Sequence, residues 1–410
     1  MNKLAKTSVH IKNTFLIIIL SLLTGIFSGA ICTLFGRVLL YLNAARVKHP
    51  LQLIPFLAIA GLVIVASYEK FGKNAKGGMS LVFDTALGKN PSIPLKMIPF
   101  PMISTWISNF FGASVGREGV AVQLGANIGF QLSRPFKNPV ISRTLIIAGI
   151  AGGFGGLFRT PIAAVCFAIE VLIAGELIFD ALVPALISAH TAAFVSGQLG
   201  LHAETIPLNE IITFTPSNIV KIVVAALLFT FAGQLFSFLS HFFHEKLAKL
   251  FKNSYLRIFS TGIFVSILSI LLFKGRYSGL SLEINHAVFN GGTVYPWDWI
   301  LKLVLTVICL SAGFQGGELT PLFCIGASFG FVISSFLGLP PLFCAALGYA
   351  AVFGSATNTF LTPIAIACEI FGFQYMHYFF IVCAIAYSYN NNRTIYSKQQ
   401  NLSADFLKCS

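Results

Sequence analysis

Apolar residues run along this chain in long blocks, and the positions that interrupt them are mostly glycine, proline and isolated charges. The blocks cover residues 14–42, 53–66, 141–151, 219–243, 258–273, 297–310 and 378–387. One complete helical crossing of a bilayer core needs ~20 apolar residues. The shorter blocks, ten to fifteen residues ended by glycine or proline, cannot all span it alone. They predict tilted helices and helices that stop partway, covered by neighbouring protein because lipid leaves exposed backbone groups unsatisfied. The expected fold class is therefore an all-α polytopic membrane protein with tilted and broken helices. Broken apolar segments at matching places in two halves point to a transporter with a midplane site.

Composition strengthens this reading. Of 410 residues, 56% are hydrophobic and 10% charged, and the mean hydropathy is +0.82, outside the range of soluble domains. The first block follows Lys3, Lys6 and Lys12 but runs past the core of a secretory signal and lacks a small-residue cleavage site, so it reads as the first helix. Seven of the eight cysteines lie within apolar runs without metal or disulfide spacing. Neither a metal nor another cofactor is expected. The net charge of +13 sits at segment ends, which favours lipid headgroups over nucleic acid as its partner.

Positive flanks suggest orientation. Lysines precede the first long block, whereas Lys246, Lys249, Lys252 and Arg257 follow the long block 219–243. With positive flanks inside, the halves run in opposite directions, although Arg37, Arg46 and Lys48 after the first block blur the rule. The expectation is one transmembrane transporter domain over 1–410, with halves at about 13–203 and about 211–396 and a boundary in the polar stretch 200–217. A short polar tail, 397–410, leaves no room for a soluble regulatory domain.

The halves share unusual wording. Gly116-Arg117-Glu118-Gly119-Val120 is echoed by Gly316-Gly317-Glu318-Leu319-Thr320-Pro321, and Thr160-Pro161-Ile162-Ala163 by Thr362-Pro363-Ile364-Ala365. An ionised side chain at the bilayer centre costs at least ~2.5–3.5 kcal/mol, so a carboxylate in each glycine-rich break needs a reason. Pairing with Arg117 or capping a helix is the structural alternative to an ion or proton route. Glycines before a helix let backbone N–H groups converge on an anion, aided by the helix dipole. A glutamate there competes with a free anion when ionised and leaves when protonated, which couples the two movements.

The Gly116–Val120 run resembles the G-R-E-G-P motif of the CLC family of anion channels and proton-coupled exchangers, and 316–321 resembles its later G-G-x-F-x-P motif. The resemblance extends from Thr14 to Tyr396. It implies the CLC fold of two inverted-topology halves, a homodimer with one pathway per subunit, and a gate at Glu118. Three departures narrow it. Met79 stands where chloride-transporting members place a serine, Glu318 replaces an apolar residue, and Val171 follows Glu170 where chloride/proton exchangers often carry a second glutamate. The combination is similar to the fluoride/proton antiporter branch. The implied coupling residues are Glu118 and Glu318, and the implied anion-binding set is Met79, Gly116, Arg117, Gly119, Gly317, Leu319, Thr320 and Tyr396. Backbone amides of 317–320 and the Thr320 and Tyr396 hydroxyls are the expected fluoride donors. Read without the family, Met79 is equally adaptable packing and Tyr396 an interfacial anchor.

The implied function is fluoride export against proton entry, in a cell membrane with both termini cytoplasmic. The alternative is a chloride/proton exchanger or passive anion channel of the same fold. An intramembrane hydrolase is not expected, since no Gly-x-Ser-x-Gly elbow is present. His190, His286 and His377 form no metal spacing, Glu170 and Glu369 read as structural acceptors, and Asp84 as a cap or headgroup contact.

Overall fold

The computed structural model describes residues 3–72, 75–210 and 212–401. The side chains of Lys3, Lys6 and Lys12, and positions 402–410 of the expected tail, lie outside the described residues. The first half comprises α1 (Lys3–Lys48), α2 (Pro50–Leu53), α3 (Leu57–Lys70), α4 (Gly78–Ala86), α5 (Pro99–Phe110), α6 (Glu118–Ser133), α7 (Pro139–Phe158), α8 (Pro161–Glu170) and α9 (Leu182–Gln198). The second comprises α10 (Pro216–Leu250), α11 (Ser254–Leu271), α12 (Leu282–Asn290), α13 (Asp298–Ala312), α14 (Leu319–Leu337), α15 (Pro341–Thr357), α16 (Leu361–Phe371) and α17 (Met376–Ser388). The order of lengths repeats: a very long first helix, a nine-residue helix at α4 and at α12, and a ten- or eleven-residue helix at α8 and α16.

Local chemistry sets many of these boundaries. Asn138 Oδ1 accepts from Val140 N at 2.9 Å and Ile141 N at 3.4 Å, capping α7 just before Pro139. Thr215 and Asn253 do the same for α10 and α11. Side-chain acceptors here satisfy amides that the helix itself leaves free. Among the described residues seven helices are long and apolar enough to cross a membrane. Several of them, such as α1, α10 and α11, expose an apolar outer face, as at Phe15, Leu34, Phe231 and Phe264, whereas α7 and α14, with α6 and α15, form the buried centre.

That centre is built by backbone contact. A Cβ placed on Gly125 would lie 2.1 Å from the Gly149 carbonyl oxygen, and one on Gly129 1.9 Å from that of Leu145. The second half repeats the device, with Gly326 against the Gly348 oxygen at 2.1 Å and Gly330 against that of Cys344 at 2.3 Å. Small residues let helices approach closely where lipid offers no hydrophobic drive between them. The duplication visible in the motifs is therefore also a duplication of packing.

The short helices α8 and α16 meet and cap each other's half. Glu170, at the end of α8, accepts from the amides of Phe360, Leu361 and Thr362 and from the Thr362 hydroxyl at the start of α16. Glu369 accepts from Ile162 N at 3.1 Å and Ala163 N at 2.8 Å at the start of α8. Both are the structural acceptors expected. After α17 the chain returns: β2 (Gln400–Asn401) pairs in parallel with β1 (Ile173–Ala174), and Lys398 forms an ion pair with Asp84 at 3.7 Å. Asp84 is thus a partner for the carboxy-terminal segment.

Candidate anion and proton site

Two glycine-rich loops, one before α6 and one before α14, meet at the centre of the molecule. Gly116 N donates to Gly317 O at 2.6 Å and Gly317 N to Gly116 O at 2.9 Å, an antiparallel bridge between the two halves. A Cβ on Gly116 would come within 2.7 Å of Pro321 and one on Gly317 within 2.8 Å of Gly119 N. Only glycine allows this approach.

The bridge also sets the register between the repeats. Gly116 faces Gly317, and Gly125 and Gly326, each the same distance further along its own half, make equivalent helix crossings. Glu118 and Glu318 are therefore one residue out of step. Glu118 is the first residue of α6 and corresponds to Leu319, the first of α14; Glu318 corresponds to Arg117. The two carboxylates are not symmetry copies.

Glu118 is fully buried. Its Oε2 accepts from Thr320 N at 2.8 Å and from Arg117 N at 3.1 Å, and its Oε1 accepts from the Thr320 hydroxyl. Arg117 Nε stands 3.6 Å from Oε1, with the guanidinium over the Phe158 ring at 5.6 Å. The carboxylate thereby occupies the amino-terminal end of α14, where unpaired amides and the helix dipole favour an anion.

Glu318 faces a different space. It is partly buried and occupies the N-cap of α14 without a side-chain capping bond. Its carboxylate lines a cavity of about 230 Å³ with Met79, Gln123, Gln315, Tyr396 and Lys398. Gly119 separates the two acids: a Cβ there would lie 3.5 Å from Glu318 Oε2. Tyr396 packs its ring on Phe83 at 5.3 Å and Phe167 at 6.4 Å, and its buried hydroxyl has no hydrogen-bond partner among the described residues. Val171 is buried, and its carbonyl receives Gln399 Nε2 at 3.0 Å, which ties the carboxy-terminal segment beside Tyr396 to the end of α8.

Residues 60–391 match the family model described as voltage gated chloride channel. The chain belongs to the CLC family. A chloride/fluoride channel protein of Pseudomonas syringae pv. tomato is 33% identical over 92% of this chain and 85% of its own length. A crystal structure of a CLC-type fluoride/proton antiporter is 43% identical, covers 95% of this chain and 98% of its own, and superposes with a TM-score of 0.93. An H(+)/Cl(-) exchange transporter of Vibrio cholerae is more distant, at 24% identity over 88% of this chain and 82% of its own length. The CLC fold is shown by these likenesses.

Within this CLC chain the expected site residues fall into two clusters and two single positions. Glu118, Thr320, Arg117, Gly116 and Gly317 come together at the bridge, and Glu318, Met79 and Tyr396 line the adjoining cavity. Gly119 lies between them, while Leu319 is buried core and contributes no side-chain chemistry. The Gly317 amide is spent on the bridge and the Thr320 amide on Glu118, so neither is open to a free anion while Glu118 is seated. The bridge pairs loop with loop, something the order of residues along the chain does not encode. Gln123 and Gln315 were not singled out from sequence. The signal available for Gln123 was a side-chain amide five residues after Glu118, in a helix that also carries Asn127 and Gln131.

Proposed function

We propose that this CLC protein is a fluoride/proton antiporter that exports fluoride, with Glu118 as gate and Glu318 as its proton-coupling partner. The observation that carries the reading is the seat of Glu118 at the start of α14, beside a second, non-equivalent carboxylate that opens onto its own cavity. Fluoride is small and strongly hydrated, so it competes for that seat only where charged or dipolar donors replace its water. The Thr320 amide and hydroxyl supply such donors once Glu118 leaves. Protonation removes the charge that holds Glu118 there, so each vacancy for fluoride is linked to a proton taken up by the carboxylate. Glu318, across Gly119, is the acid placed to exchange protons with the cavity side.

Met79 offers no hydrogen-bond donor to a chloride ion, and Val171 offers no proton acceptor at the end of α8. Likeness to the antiporter of known structure supports fluoride as the anion. The reading includes a homodimer with one pathway per subunit and a cell-membrane location with both termini cytoplasmic, supported by the family resemblance. Purified protein in liposomes loaded with fluoride or with chloride tests it by ion-selective electrode. Fluoride efflux far exceeding chloride efflux, and accelerated by an opposing proton gradient, is expected. Equal or faster chloride efflux would identify a chloride exchanger or channel instead.

A further inference from the structure

Lys302 on α13 is completely buried, yet it touches neutral oxygens alone. Its ammonium donates to Ser114 Oγ at 2.8 Å, Gly279 O at 2.8 Å and Tyr277 O at 3.3 Å. None of the ion pairs among the described residues includes it. A second buried cation, Arg46, lies against the same stretch of backbone: a Cβ on Gly279 would fall 2.7 Å from its Nη2. Arg46 binds Asn43 Oδ1 at 2.6 Å, and its Nε has no hydrogen-bond partner among the described residues. Glu283 is the acid within electrostatic reach of both cations, and its carboxylate accepts from Asn43 at 3.3 Å. Asp298, the other buried acid nearby, is already matched by Arg276 at 2.7 Å and by the Tyr277 hydroxyl at 2.6 Å. Neither Lys302 nor Arg46 has a carboxylate within ion-pair distance among the described residues.

The Lys302 charge is attached to the site. Ser114 is two residues before Gly116, in the loop that forms the bridge to Gly317 and leads into Glu118. Its hydroxyl also meets Thr306 Oγ1 at 2.8 Å, and its amide points at Cys309 Sγ at 3.3 Å. The loop is thus pinned to α13 with the ammonium directly behind it. A buried charge in a membrane protein is costly and calls for a function.

We propose that Lys302 is an affinity-determining positioning residue: a fixed positive charge behind the Ser114–Gly116 loop that favours an anion at the seat held by Glu118 and Thr320, without entering the pathway. It acts through the loop and the intervening dielectric rather than by contact. This inference rests on the fluoride-transport reading. At roughly 10 Å, the reach of one side-chain contact plus two residues, one charge in a medium of effective dielectric about 20 changes anion affinity by about tenfold.

The test is fluoride efflux from liposomes as a function of fluoride concentration for wild type, Lys302→Met, Lys302→Arg and Ser114→Asp, with unfolding midpoints measured on each. Lys302→Met removes the charge, whereas Ser114→Asp cancels it with the lysine in place. Both are expected to raise half-saturating fluoride about tenfold with a smaller change in maximal rate, and Lys302→Arg to stay within about twofold of wild type. Wild-type half-saturation in either neutralising variant, if folded, would overturn the proposal, as would equal weakening in Lys302→Arg. Wild type that moves no fluoride would instead refute the transport reading itself.

Discussion

At the scale of single residues, the proposed site rests on the Glu118 carboxylate and the Thr320 donors. Three donors converge on one carboxylate, two of them from Thr320, and in the proposed exchange the Thr320 donors serve both the free anion and its tethered substitute. Removing the hydroxyl while keeping the shape, as in Thr320→Val, is expected to raise half-saturating fluoride roughly ten- to a hundredfold, since a hydrogen bond to a charged group contributes about 1.5–3 kcal/mol. Concentration-dependent efflux checks this, and an unchanged half-saturation would remove Thr320 from the site. Glu318→Gln keeps the cavity lining but cannot carry a proton. It is expected to abolish fluoride-driven proton movement while leaving fluoride binding measurable by calorimetry; retained coupling would place the second proton group elsewhere. Much of this was legible from the chain, because Glu118, Glu318 and Thr320 sit in short, distinctive motifs. The one-residue offset between the two acids was not, since letter-by-letter alignment matches Glu to Glu whereas the backbone bridge matches Gly116 to Gly317. Lys302 was hidden for a related reason: one lysine in an apolar run looks like a segment end until the fold encloses it.

At the scale of elements, reciprocal capping and glycine contact hold the two halves in register. Glu170 receives four donors from the start of α16, and Glu170→Ala would strand them in a buried place. A loss of about 2–4 kcal/mol is expected, seen as a lower unfolding midpoint in detergent; an unchanged midpoint would mean that water or another group replaces the carboxylate. The helix crossings are less forgiving. In Gly326→Ala the new methyl would meet backbone at 2.1 Å, and backbone cannot rotate away. The expected outcome is a loss above the usual overpacking cost of about 1–3 kcal/mol, read as little monodisperse protein on size exclusion. Normal yield and elution would show that α14 and α15 can separate. The sequence predicts helices that stop partway, and α8 and α16 are such helices, although both lie outside the apolar blocks and the block 141–151 belongs to the twenty-residue α7. The partner that satisfies each broken end comes from the opposite half, which only tertiary structure discloses.

At the scale of the whole molecule, the repeated order of helix lengths and the central bridge make one transport unit from two related halves. The lipid-facing apolar surface was foreshadowed by hydropathy, whereas the close glycine packing of the centre is visible only in the tertiary structure. The proposed homodimer is checked by light scattering of detergent-solubilised protein, which should give a protein mass twice the 44.3 kDa of one chain; a monomer would contradict it. What joins residue, element and molecule is the claim that fluoride leaving the Thr320 seat and a proton taken up by Glu118 are one exchange. The most direct measurement is external pH above liposomes holding the purified protein, a fluoride gradient and no proton gradient. An outward fluoride gradient is predicted to drive protons inward, raising external pH, in wild type and not in Glu118→Gln. Fluoride efflux without proton movement in wild type, or undiminished proton movement in Glu118→Gln, would contradict the account.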